Sequence, residues 1–151
     1  MYQKILVAVD GSTASGRGIT EALKVAGAVG GQILFLHVVS EPVTPDIAPS
    51  IYLDKLLESL REAGAKILEE TTAMARRAGV PCESKMVERL GGRPADEIVR
   101  EARSWRADLI VLGTHGRRGL KRLALGSDAE LVLRQSPAPV LTVRDQPEAA
   151  H

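Results

Sequence analysis

Asp108-Leu109-Ile110-Val111-Leu112-Gly113-Thr114-His115-Gly116, followed after nine residues by Gly126-Ser127, is the stretch whose reading decides the fold. Leu109 to Leu112 is a continuous apolar run, the pattern of a strand buried on both faces. Glycine then appears at 113, 116 and 126, so a loop follows in which main-chain N–H groups can approach a ligand closely. A short helix pattern over 128–135 leaves that loop. Ser127 sits at its predicted N-cap with Glu130 three residues on, a capping-box pattern. A strand that ends in a glycine loop and re-enters a helix presents orphan N–H donors and the positive end of a dipole, the parts of a phosphate site.

The same alternation runs outward in both directions. Ile5 to Val9 is a second continuous apolar run. Ser12 or Thr13 caps a helix predicted to about residue 29, with Ile19, Leu23, Val25, Ala26 and Val29 as its apolar stripe, and Gly30-Gly31 stops it. A strand is predicted over 32–39, then a loop over 40–50 that holds Pro42, Pro45 and Pro49. A long helix follows over 50–78, with Leu53, Leu56, Leu57, Leu60, Ala63, Ile67 and Met74 at helical spacing. The run 82–87 is a less apolar strand suited to a sheet edge. Pro94 opens another helix, with Asp96 and Glu97 in its first turn and Ile98, Val99, Ala102 and Trp105 on its buried side. Strands over 108–112 and 139–143 complete the set. The fold class is α/β: a single open five-stranded parallel sheet with helices on both faces.

The chain has 151 residues, 44% hydrophobic and 26% charged, the profile of one globular domain with a core that needs no staple. Cys82 is the only cysteine, so the chain has no internal disulfide framework, and a reducing cytoplasm is the simplest location. Neither a signal peptide nor a run of ~18–20 apolar residues is evident, so no membrane role is expected. A net charge of +1 and 3% aromatics give little for a nucleic acid to bind.

In open α/β sheets ligands bind beyond the carboxyl ends of the strands, where the strand order switches. Asp10, His37 to Val39, and the glycine loop all fall there. Asp10 has two readings: a carboxylate for ribose hydroxyls or a metal, or a turn-former at the helix start. Arg117, Arg118, Lys121 and Arg122 are either a field for a triphosphate or a solvated basic turn. His37, at the end of an apolar strand, reads as a hydrogen-bonded core residue. His115 contributes its backbone or lies near phosphates. No cluster of metal ligands surrounds either histidine, no catalytic residue is assigned, and Cys82 has no basic partner. The chain lacks Gly-x-Ser-x-Gly, Gly-x-Gly-x-x-Gly and Gly-x-x-x-x-Gly-Lys-[Ser/Thr].

These residues resemble the universal stress protein family in its ATP-binding branch. The likeness is carried by Lys4 to Ser12, by Leu36-His37-Val38, by 108–116, by Gly126-Ser127 and by the closing 136–143. The family signature Gly-x2-Gly-x9-Gly-[Ser/Thr] is matched without a gap at Gly113, Gly116, Gly126 and Ser127. The resemblance implies an adenine nucleotide alpha hydrolase-like, Rossmann-like domain over 1–144, with 145–151 a flexible C-terminal tail. It implies ATP as ligand, with Mg2+ or Mn2+ carried by the phosphates. Ala8 and Val38 would border adenine and Asp10 would meet the ribose. Gly113, His115, Gly116, Gly126, Ser127 and Asp128 would line the ribose and phosphates. It also implies a homodimer through the last strand, Val140 to Val143.

The function expected is therefore a nucleotide-dependent regulatory or stress-response protein with little or no hydrolysis. One alternative is a slow ATPase or nucleotidyl-transfer enzyme on the same scaffold. Another is a nucleotide-free partner-binding module that uses the long helix and the proline-rich 40–50.

Overall fold

Each apolar run becomes a strand because it has somewhere dry to go on both faces. The computed structural model describes residues 1–41, 50–114 and 125–145. Its elements are β1 (Lys4–Ala8), α1 (Thr13–Val29), β2 (Gln32–Glu41), α2 (Ser50–Arg77), β3 (Cys82–Leu90), α3 (Pro94–Trp105), β4 (Leu109–Gly113), α4 (Ser127–Gln135) and β5 (Val140–Val143). The five strands form one sheet in the order β3-β2-β1-β4-β5. Every neighbouring pair is parallel, with Ile5 opposite Ile33 and Leu109, and Ile110 opposite Val140.

Alternation along the strands divides the core into two layers. Ile5, Val7, Ile33, Phe35, Leu109 and Val111 pack with Ile19, Ala22 and Ala26 of α1 and with Leu68 and Ala75 of α2. Leu6, Leu34, Leu36, Ile110 and Leu112 pack with Ala95, Ile98, Val99 and Ala102 of α3 and with Ala129 and Val132 of α4. The helices thus cover both faces, as read from the sequence. Asp108 precedes β4 and pins it to β1, accepting the N–H groups of Gln3 at 2.9 Å and Lys4 at 3.0 Å.

The caps of α1 follow the sequence. Ser12 is the N-cap of α1, and Gly30 ends the helix in the left-handed region at φ 70°. The apolar stripes are corrected in detail. Val29 and Leu56 are exposed, because both lie on the solvent side of their helices. The close packing of α1 on the sheet uses small residues instead: Ala14, Gly18, Ala22 and Ala26 are buried. In α2 the innermost positions are Leu57, Gly64, Leu68, Thr71 and Ala75.

β3 is a sheet edge, as its weak apolar content predicts, but it runs to Leu90 rather than to residue 87. The extension pairs with β2, Glu88 opposite Val39 through Leu90 opposite Glu41, and ion pairs flank the strand. Lys85 Nζ meets Glu101 Oε1 at 2.9 Å, and Arg89 Nη1 meets Glu97 Oε1 at 2.8 Å, so α3 holds one face of β3. Arg61 of α2 makes a two-pronged pair with Glu88 on the other face. Charged side chains along an edge also discourage a foreign strand from pairing there.

Candidate functional site

The strand order reverses between β1 and β4. From β1 the chain passes to β2 and β3 on one side, then crosses to β4 and β5 on the other. Connections that leave the carboxyl ends of β1 and β4 therefore diverge and open a crevice between them. The candidate site is that crevice.

The β1–α1 turn forms its first wall. Asp10 Oδ1 accepts the N–H of Ser12 at 2.8 Å, an Asx turn that bends the chain into α1. The Asp10 N–H donates to Ser15 Oγ at 3.2 Å, and the Ser15 N–H donates to Ser12 Oγ at 3.1 Å. Gly11 completes the bend at φ 83°, a conformation that disfavours a side chain. One Asp10 oxygen is thus used by the turn. The other, Oδ2, has no hydrogen bond among the described residues, so the turn role and a ligand role are compatible.

An apolar shelf lies beside this turn. Ala8 and Val38 are half-buried and pack, with Val87, against the layer under α3 and α4. They bring apolar surface to the rim without sealing it, as a flat aromatic ring requires. His37 points the other way. It is buried on the α2 side, and its Nδ1 donates to the Val9 carbonyl at 2.7 Å, which fits the reading of a hydrogen-bonded core residue.

β4 supplies the second wall. The Thr114 N–H donates to the Val143 carbonyl at 2.9 Å, and the Thr114 carbonyl accepts the N–H of Gly126 at 2.7 Å. The chain therefore returns at Gly126 to the point where it left the strand, which sets the start of α4 at the carboxyl end of β4. His115, Gly116 and the cations Arg117, Arg118, Lys121 and Arg122 lie outside the described residues, as do 42–49 and 146–151. Gly113 is accounted for by packing: a Cβ there would stand 2.8 Å from Ala14 Cβ and 2.9 Å from Ser15 N. Its missing side chain lets the start of α1 press against β4.

The start of α4 corrects one expectation. Ser127 is not the N-cap. Gly126 occupies that position with φ −58° and ψ 149°, makes no side-chain cap, and accepts the Glu130 N–H at 2.9 Å. The Ser127–Glu130 capping box is therefore not formed, because Ser127 already has helical geometry and its side chain is exposed at the helix rim. The N–H groups of Ser127, Asp128 and Ala129 precede the first α-helical bond and are the orphan donors of this terminus.

Asp128 faces a neighbouring helix. Its Oδ1 lies 3.4 Å from the N–H of Ala95 and 3.7 Å from Arg93 Nε. It thereby serves the N-terminus of α3, whose own N-cap, Arg93, has no capping side chain. The carboxylate is held by the start of α3.

One polar group escaped the sequence reading. Thr114 is 7% exposed, and its Oγ1 is buried with no hydrogen bond among the described residues. The signal available was its place immediately after Gly113 in the loop motif. Nothing suggests an activated nucleophile at Cys82: burial pushes its thiol up, outweighing the opposing pull of Arg76. No group of three or more His, Cys, Asp or Glu side chains among the described residues is placed to hold a metal ion. No described helix is long and apolar enough to cross a membrane.

Comparison with known proteins gives this architecture a family. The model of the universal stress protein family matches residues 1–144. Universal stress protein MJ0531 of Methanocaldococcus jannaschii is 35% identical over 150 residues, covering 95% of this chain and 83% of that protein. Among solved structures, hypothetical protein MJ0577 superimposes with a TM-score of 0.87 at 28% identity, covering 98% of this chain and 99% of the other. A universal stress protein in complex with cAMP superimposes with a TM-score of 0.69 at 29% identity, covering 94% of this chain and 97% of that one. The chain belongs to the universal stress protein family.

Proposed function

We propose that this protein binds an adenine nucleotide, ATP in the first instance, in the crevice between β1 and β4, and acts as a nucleotide-dependent regulator. The observation that carries the reading is the convergence of three unlike surfaces at one switch point. They are the half-buried shelf of Ala8 and Val38, the spare oxygen of Asp10, and the uncapped start of α4 at Gly126-Ser127. Base, ribose and phosphates need an apolar shelf, a hydroxyl acceptor and N–H donors respectively. A related structure holding cAMP supports an adenine ligand.

The energetics suit this assignment. Each charge-assisted hydrogen bond contributes roughly 1.5–3 kcal/mol. A few of them, with burial of the base, reach the ~8 kcal/mol of micromolar affinity. In this reading Gly113, His115, Gly116, Gly126, Ser127 and Asp128 line the ribose and phosphates, largely through main-chain atoms, and Mg2+ or Mn2+ arrives with the phosphates. Asp128 contributes its N–H, since its carboxylate serves α3. In this reading the protein binds and reports nucleotide, and hydrolysis is slow or absent.

The regulatory output goes through assembly. Among the described residues β5 is the sheet edge that carries no ion pair, and we assign it to a homodimer through Val140–Val143. A single cysteine suits the cytoplasm as its location.

The decisive test is direct. Protein purified without added nucleotide is denatured and its supernatant chromatographed, and refolded or nucleotide-stripped protein is titrated calorimetrically with ATP and Mg2+. Released adenine nucleotide or micromolar heat is expected. An empty supernatant with no heat removes the reading in favour of a partner-binding module, and sustained turnover lost in Asp10→Asn replaces it with an enzyme.

A further inference from the structure

We propose that His37 is a positioning residue for the nucleotide rim, and that Gly64 of α2 sets where His37 stands. The proposal rests on the nucleotide-binding reading above and adds to it the element that holds the β1–α1 turn in its binding shape.

Backbone pairing between β1 and β2 stops at the rim. The last register pair is Ala8 with Leu36, and one further bond runs from the Val9 N–H to the Leu36 carbonyl at 2.9 Å. The Val9 carbonyl is then taken by a side chain: His37 Nδ1 lies 2.7 Å away. Since a carbonyl only accepts, Nδ1 carries the hydrogen. Val9 is the residue immediately before Asp10, and the Asp10 carboxylate is bonded to the Ser12 N–H at 2.8 Å. The imidazole therefore clamps the residue on which the Asp10–Ser12 turn hangs.

The ring is itself held in place by α2. His37 is 8% exposed. A Cβ at Gly64 would stand 2.5 Å from His37 Cδ2, 2.9 Å from His37 Nε2 and 2.9 Å from Met86 Sδ. The helix backbone thus lies directly on the imidazole. Met86 is long and can yield. The ring cannot yield without leaving the Val9 carbonyl. A contact chain results, from Gly64 through His37 and Val9 to Asp10, joining the middle of α2 to the crevice. The position of α2 on the sheet and the geometry of the nucleotide turn are then one variable.

The test compares the native chain with His37→Leu, His37→Asn and Gly64→Ala. Leucine keeps apolar volume and removes the donor. The asparagine amide nitrogen falls near the place of Nδ1 and restores a donor, at the cost of a looser core. Two quantities are measured: ATP affinity with Mg2+ by calorimetry, and hydrogen exchange of the Ser12 amide without nucleotide. Loss of one hydrogen bond predicts a fall of about 10-fold in affinity and about 10-fold faster Ser12 exchange in His37→Leu. His37→Asn should recover most of both while melting no higher than His37→Leu, and Gly64→Ala should move both in the direction of His37→Leu. Equal affinity and equal Ser12 exchange in the leucine and asparagine variants would overturn the proposal. If His37→Leu does not fold, Gly64→Ala decides, and unchanged affinity and exchange there overturn it. If the native chain gives no heat with ATP, the nucleotide reading fails, while Ser12 exchange still reports whether His37 holds the turn.

Discussion

Gly113, the last residue of β4, lies so close to Ala14 in the first turn of α1 that a Cβ on the glycine would meet the alanine methyl at 2.8 Å. The contact joins the two walls of the crevice. It also changes the meaning of the first glycine of the loop motif, which serves helix–strand packing before any ligand arrives. Two backbones approach there, so neither side can give way by turning a rotamer.

Gly113→Ala should therefore destabilise the fold by about 1–3 kcal/mol, the range for forcing a methyl into a filled core. Urea unfolding followed by circular dichroism measures this. A stability equal to that of the native chain would mean that α1 stands off the sheet.

Ser127→Ala separates capping from ligand contact. A hydroxyl that caps a helix is worth ~1 kcal/mol, but here Gly126 is the N-cap and makes no side-chain bond. The substitution should change stability by less than ~0.5 kcal/mol. If the exposed hydroxyl meets a phosphate, ATP affinity should fall roughly 3- to 10-fold in the same variant. Unfolding and calorimetry on one preparation give both numbers.

Asp128→Ala removes the acceptor at the start of α3. The Ala95 N–H then loses its acceptor, and Arg93 loses a partner at 3.7 Å. The long distances point to a loss of about 0.5–1 kcal/mol in urea unfolding. ATP affinity should not fall, because the variant keeps the main-chain donor and removes a negative charge from the phosphate end of the crevice.

The Arg61–Glu88 pair sets a pH dependence with a definite sign. Its hydrogen bond and charge hold the Glu88 carboxyl below the usual carboxylate range and raise Arg61. A carboxyl whose pKa is depressed by folding adds stability above its unfolded value and loses it as the pH falls through the folded one. Both side chains are largely at the surface, so the effect is small and screened by salt. Carbon-detected NMR titration should show Glu88 moving to a higher midpoint in Arg61→Gln. An unchanged midpoint would mean the pair is not formed in solution.

Strands β1, β2 and β4 were legible because a parallel sheet covered on both faces demands unbroken apolar runs, and few other structures do. The caps of α1 at Ser12 and Gly30 were legible because capping is local chemistry between residues a few positions apart. The inward face of α2 was less so. Leucines at 53, 56 and 60 suggested one stripe, yet the helix lies on the sheet through Gly64, Thr71 and Ala75, since close approach selects small residues that a hydropathy pattern does not register. Among the candidate site residues, Gly113, Gly126 and Ser127 were marked by spacing, and Asp10 by its place at a strand end.

The sequence by itself determined the order of strands and helices along the chain, the sheet edge that carries the candidate site, and the family, because periodicity and motif spacing are properties of one line of residues. Tertiary structure alone decided what each polar group there does. Asp128 serves α3 because Ala95, far away in the chain, arrives beside it, and His37 turns to Val9 because Gly64 lets a helix settle on its ring. The physical reason is that hydrogen bonds and van der Waals contact act over a few ångströms in space, and distance along the chain carries no information about that separation.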